Sequence, residues 1–154
     1  MQRMQRVTGV GRWALVALMA LAVLTMMGVL AGCRSGEAVG AYNQGNKHFQ
    51  AGNYTLAIVE YSRAILSDPD FTKAYNNRGV AYTHREQYDK AIKDFNAVLN
   101  LDPDYHAAYN NRGVAYYKQG EIEKAVADFQ KTLELSEDAN LRQQAEEALK
   151  EIEP

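Results

Sequence analysis

The chain has 154 residues, 47% of them hydrophobic, with 17 Lys and Arg against 19 Asp and Glu and a single cysteine. That length holds one domain, or one with an appendage, and the lone Cys33 excludes an internal disulfide and any zinc site of four cysteines. All five Met, the only Trp and three Arg without any acid fall in the first 32 residues, which leaves fourteen bases against nineteen acids in the other 122. An acidic remainder without clustered Lys and Arg argues against nucleic acid as a partner.

Arg3, Arg6 and Arg12 precede an apolar run from Trp13 to Leu30, broken only by Thr25 and Gly28. Basic residues ahead of an apolar run have the form of an export signal, the Arg holding that end in the cytoplasm. Read alone, an apolar run of eighteen residues would also approach the roughly 20 needed for an uncleaved anchor helix. The run ends at Leu30-Ala31-Gly32-Cys33, which resembles the lipobox of bacterial lipoproteins. The resemblance implies a signal peptide over 1–32, a diacylglyceryl group on the Cys33 thiol, cleavage before it, acylation of the new amine, and a short linker over 33–37. Two or more acyl chains anchor a protein stably where one does not. Arg34 follows Cys33 where an Asp would, in enterobacterial lipoproteins, favour inner-membrane retention. The expected location is therefore lipid-anchored and outside the cytoplasm, on the outer membrane if the host has one.

From here the sequence repeats every 34 residues. Tyr75-Asn-Asn-Arg-Gly-Val-Ala-Tyr82 recurs as Tyr109-Asn-Asn-Arg-Gly-Val-Ala-Tyr116. Gly45, Gly79 and Gly113 keep the same step, as do Ala57, Ala91 and Ala125, then Tyr61, Phe95 and Phe129, and Pro69 with Pro103. In the second half of each unit, apolar residues at i, i+3, i+4 and i+7 mark one face of a helix. Gly52-Asn53, Gly120 and the Asp-Pro-Asp runs at 68–70 and 102–104 are expected to stop one helix and cap the next. Helices are predicted at about 37–51, 54–67, 72–85, 88–100, 106–118 and 122–135. The mid-helix glycines would let the first helix of a unit approach the second near Ala57, Ala91 and Ala125. Past the third unit, Leu141, Ala145, Ala148, Leu149 and Ile152 form a narrower stripe, read as a helix over about 138–152 that closes the end of a stack.

This 34-residue pattern of Gly, Ala, aromatic and Pro resembles the tetratricopeptide repeat (TPR). It implies an all-α solenoid of three helix-turn-helix units, at 38–71, 72–105 and 106–139, with a capping helix over 140–154. The third unit departs from the pattern with Glu137 in place of Pro, and the first carries His48 where Tyr82 and Tyr116 follow. In TPR proteins the first helices line a concave groove that reads ligands. Carried onto this chain, the groove positions are Tyr42, Asn46 and Phe49, then Lys73, Asn76, Asn77, Val80, Thr83 and His84, then Asn110, Asn111, Val114, Tyr117 and Lys118. Paired Asn offer a donor and an acceptor to an extended backbone, and Phe49 and Tyr117 offer aromatic anchors. Some of them, the two Val above all, could equally fill the seam between repeats. TPR domains that grip the acidic tails of heat-shock chaperones use Lys and Arg with Asn. Asn46 and Asn77 fit that pattern, but Tyr42, Ala107 and Asn111 stand where cations are expected.

Little else carries chemistry. No Ser sits in a Gly-x-Ser-x-Gly turn, no glycine-rich phosphate loop is present, and His48, His84 and His106 lie in three different helices without four-residue pairing. Asp94, Glu121, Glu123 and Asp128 are expected on a solvated face. The sequence therefore points to a membrane-anchored adaptor without cofactor or metal, binding a segment of another envelope protein, in pilus or peptidoglycan assembly for example. A self-associating module that works as a homodimer is the alternative, and an enzyme is disfavoured.

Overall fold

The computed structural model describes residues 35–152; the expected signal peptide over 1–32 and the expected lipidation at Cys33 lie outside them. Seven helices make up the described residues. They are α1 over 35–50, α2 Tyr54–Ser67, α3 Thr72–His84, α4 Tyr88–Leu101, α5 His106–Gln119, α6 Ile122–Leu135 and α7 Ala139–Ile152. Each boundary falls within about two residues of the periodicity reading. The helices pack as consecutive hairpins, α1 with α2, α3 with α4 and α5 with α6, and α7 closes against α6. The first helices also touch one another, α3 with α5 and α5 with α7, so they share one wall of the stack.

The glycines explain why the hairpins are tight. A Cβ on Gly79 would sit 2.6 Å from Cε1 of Phe95, one on Gly45 2.5 Å from Cε1 of Tyr61, and one on Gly113 2.9 Å from Cε1 of Phe129. The bare backbone of α1, α3 and α5 thus lies flat against a ring of the second helix. The partner is the aromatic, not the alanine expected from the sequence. Ala57, Ala91 and Ala125 are fully buried beside those rings.

Two acids also depart from the sequence reading. Asp94 and Asp128 are buried, because each receives a two-pronged bond from the arginine 16 residues earlier. Arg78 Nε and Nη2 donate to Asp94 at 2.8 and 2.7 Å, while Nη1 reaches Ser62 Oγ of the preceding unit at 2.9 Å. Arg112 repeats this with Asp128 at 2.8 and 2.7 Å and with Asn96 at 2.5 Å. Burial pushes the Asp94 carboxyl up from its ordinary value against the pull of Arg78. Bonds to Asp128 hold Arg112 above its own, against burial. Each fork supplies two parallel N–H···O bonds between planar groups, a geometry that arginine and carboxylate share. Each guanidinium also lies over two tyrosines of its own helix, Arg78 at 5.5 Å from the centre of Tyr75 and Arg112 at 5.5 Å from Tyr109. The Tyr, Arg and Gly of the repeated octapeptide therefore have packing roles.

Helix starts are formed differently from the expectation. The Asp-Pro-Asp runs do not cap α3 or α5 through their side chains; Phe71 and Tyr105 occupy the N-cap positions. Instead Asp68 Oδ1 and Asp102 Oδ1 accept the N–H two residues on, at 3.2 and 3.1 Å, tightening the turn. Asp138 does cap α7, accepting from the N–H of Asn140 and Leu141 at 2.9 and 3.0 Å. The turns inside hairpins need a left-handed residue: Gly52 (φ 75°) and Gly120 (φ 86°) supply it, and Glu86 (φ 59°) stands at the equivalent place in the second unit.

Both the ring contact and the left-handed turn can be probed by stability. Gly79→Leu drives a branched chain into the Phe95 ring and should cost about 3 kcal/mol, read as a lower urea midpoint; an unchanged midpoint would refute the contact. Glu86→Gly removes left-handed strain of roughly 1–2 kcal/mol at a smaller cost in chain entropy. A net gain in thermal midpoint is expected, and a loss would show that Glu86 is unstrained.

Candidate functional site

A cavity of about 420 Å³ opens between α1 and α3, lined by Asn46, Phe49, Gln50, Tyr61, Asn77 and Val80. Four of these are groove positions read from the sequence; Gln50 and Tyr61 were missed. Tyr61 could have been found by comparing units, because it is the ring position where the other two carry Phe. Its hydroxyl donates to Asn46 Oδ1 at 2.8 Å. In the later units Phe95 and Phe129 lack that hydroxyl, and Val80 and Val114 replace Asn46. Polar and apolar members therefore change together. Burial, partly offset by the Asn77 amide, pushes the Tyr61 phenol up to about 12, so it remains a donor at neutral pH.

A chain of amides runs on from this pair. Asn77 Nδ2 donates to Tyr42 Oη at 3.1 Å and Asn46 Oδ1 at 3.0 Å, and Asn77 Oδ1 accepts from Asn76 Nδ2 at 3.2 Å. Asn76 Oδ1 in turn accepts from Asn111 Nδ2 at 3.1 Å. Among the described residues no partner is found for Asn46 Nδ2 or Asn111 Oδ1, which leaves one donor and one acceptor in the half-buried wall. Asn76 and Asn110 correct the sequence reading. Both are buried in the seam between units and hold neighbouring repeats together instead of facing a partner. Asn110 Oδ1 has no partner among the described residues, because Ala145 stands where Asn77 and Asn111 stood in the earlier units.

The other groove positions divide. Val80 packs on the Ala91–Phe95–Ala115 cluster while edging the cavity, and Val114 packs on the Ala125–Phe129–Ala145 cluster. Thr83 returns its hydroxyl to the Gly79 carbonyl at 3.1 Å. His84 stacks on Tyr54 at 4.5 Å and meets the edge of Phe49 at 5.4 Å, on the rim rather than in the cavity. Tyr117 donates to Glu151 of α7 at 2.9 Å with Lys118 over its ring, at the far end of the wall. Lys73 is exposed at the start of α3. A hollow of about 510 Å³ at Gly52–Leu56 and His84–Glu86 recurs 34 residues on as one of about 270 Å³. It belongs to the stacking period, whereas the α1–α3 cavity exists because of Asn46 and Tyr61. Among the described residues no cluster of His, Cys, Asp and Glu could hold a metal ion.

A family model described as TPR repeat matches residues 45–84 and 81–120, and one described as tetratricopeptide repeat matches 106–138. Among solved structures, the first TPR domain of Spaghetti (RPAP3), bound to the HSP90 peptide SRMEEVD, is 30% identical. The match covers 77% of this chain and 91% of that one, with a TM-score of 0.72. The second TPR domain of human RPAP3, in complex with the HSP70 peptide SGPTIEEVD, is 29% identical over 80% of this chain and 98% of that one, at 0.70. The Arabidopsis OM64 TPR domain shares the fold at 23% identity, covering 77% and 98%, with a TM-score of 0.72. The fold is thus a three-unit solenoid with its cap.

Importing the second unit's pairing tests the cavity wall. Tyr61→Phe alone should cost about 1 kcal/mol, whereas Tyr61→Phe with Asn46→Val should recover most of it. The single variant should also lose less stability between pH 10 and 12. In that window an unfolded phenol ionises near 10 while the folded one holds its proton to about 12, so wild type weakens as pH rises. Identical alkaline melting curves would refute the hydroxyl's burial.

Proposed function

Because the chain belongs to the tetratricopeptide repeat family, we propose that it is a membrane-anchored adaptor holding a segment of another envelope protein along the wall of α1, α3 and α5. The carrying observation is the α1–α3 cavity, with apolar Phe49 and Val80 beside the Asn46 amide, whose Nδ2 has no partner among the described residues. An apolar side chain of the guest fills such a space, and the amide fixes its backbone. The guest differs in charge from the peptides ending in EEVD held by the RPAP3 domains. Tyr42, Ala107 and Asn111 offer no cation, so a carboxylate desolvated here would lack compensation. A neutral segment with a bulky apolar residue fits.

The anchor rests on the sequence: basic residues, an apolar run and Leu30-Ala31-Gly32-Cys33 in order. Along the chain, Cys33 stands two residues before α1, and the cavity belongs to the first hairpin. The lining of the cavity holds no acid, histidine, cysteine or serine. The activity proposed is capture.

A photoreactive residue at Gln50 of the full chain in living bacteria should crosslink a discrete partner. Asn46→Ala with Phe49→Ala should abolish that product while circular dichroism shows the helices intact. Undiminished crosslinking in the double variant would sink the cavity as the binding site. Mass measurement of the mature protein tests the acyl groups on Cys33 independently.

A further inference from the structure

The outward side of α2 is unlike that of its counterparts. Leu56, Val59 and Leu66 are 49, 50 and 78% exposed, with Arg63 exposed between the last two. The equivalent places hold Lys90, Lys93, Ala97 and Asn100 in α4, and Lys124, Ala127, Lys131 and Glu134 in α6. Stacking of the repeats therefore demands no apolar residue there. Apolar side chains unique to the first unit ask for a different partner.

The spacing identifies which. Positions 56, 59, 63 and 66 step by three, four and three, the a and d places of a heptad. At 100° per residue they lie on the side of α2 opposite Tyr61, away from the cavity. The order is also symmetrical under reversal, which exchanges Leu56 with Leu66 and Val59 with Arg63. Laid antiparallel on itself, α2 sets each Leu56 against a Leu66 and the Arg63 stem across Val59. Arg63 Nη1 is 3.0 Å from Glu60 Oε2 within one chain, so a two-fold axis brings two such pairs together with opposite charges facing. A bilayer suits this face less well: Asp68 and Asp70 flank Leu66 and would be repelled by anionic headgroups.

The geometry points to a homotypic docking surface: a second copy of this chain pairs with the first through antiparallel α2 helices in this register. Few side chains are involved, fewer than the roughly 800 Å² per partner of a standard interface supplies, so the pair is weak and dissociates on dilution. Both α1–α3 cavities face away from the contact. A dimer can then hold two segments at once, with the gain in avidity that linkage gives. The inference does not depend on the lipid or on the guest.

Cysteine pairs in the full chain test it, with Cys33 kept so that the proposed anchor is retained and with the wild-type chain and the single variants reporting any linkage through Cys33. Under mild oxidation in isolated membranes, Leu56→Cys with Leu66→Cys should give a disulfide-linked dimer several-fold above either single variant. Adding Val59→Lys, the residue type that α4 tolerates at Lys93, should remove it without loss of helicity. Yields no higher in the double variant than in the singles overturn the proposal. So does self-linking of Leu56→Cys alone, which reports a parallel pair. A double variant that stays monomeric while its introduced thiols react with a maleimide carried on lipid overturns it as well, with the membrane as occupant.

Discussion

Everything in this fold hangs on a bare stretch of backbone lying against an aromatic ring, made three times. Gly45 on Tyr61, Gly79 on Phe95 and Gly113 on Phe129 set how close the two helices of a hairpin come. That distance fixes where the next hairpin stacks, because Ala81 and Ala115 of the following first helices close onto the same rings. A larger residue at any glycine would spread its hairpin and shift the wall that the first helices build together. The glycine is costly for an isolated helix, so the tertiary contact outweighs local propensity here.

Around that contact the arginine forks act as a second set of ties. Arg78 holds α4 through Asp94 and α2 through Ser62, and Arg112 holds α6 and α4 in the same way. A buried ion pair adds little net stability against an apolar substitute, but a fork that reaches two helices fixes one register over its neighbours. The series has ends. Gln44 and Glu60 occupy the corresponding places in the first unit, and Glu146 that of Arg in α7. Released from a fork, Glu60 pairs along its own helix with Arg63, so the outer side of α2 carries charge where α4 turns its equivalent Asp94 inward.

Periodicity made the helices legible, since burial of one face at 3.6 residues per turn shows in a single chain. Contacts between helices were less so. The partner of each glycine was misread as Ala because both alanine and ring share that face, and only the coordinates separate them. Burial of Asp94 and Asp128 was missed because a helical wheel treats each helix alone and both lie off the apolar stripe. The usable signal was that Arg and Asp recur together, 16 apart, in two successive units. Asn76 and Asn77 are adjacent and identical in type, yet a rotation of 100° sends the first into the seam and leaves the second on the wall.

The wall also changes along its length, and the repeat explains how. At α1 the pair is Asn46 with Tyr61, hydrogen-bonded and leaving room beside Phe49; at α3 and α5 it becomes Val with Phe. Valine fills its place against the core clusters, so the later units present a closed surface in which amides appear only at Asn77 and Asn111. Beyond them the Tyr117–Glu151 bond ties the far end of the wall to the cap. Two substitutions in one unit, each conservative in size, have thus turned a periodic surface into one with a distinct end. A segment lying along such a wall meets different chemistry at its two ends, so its direction is specified without any charged clamp.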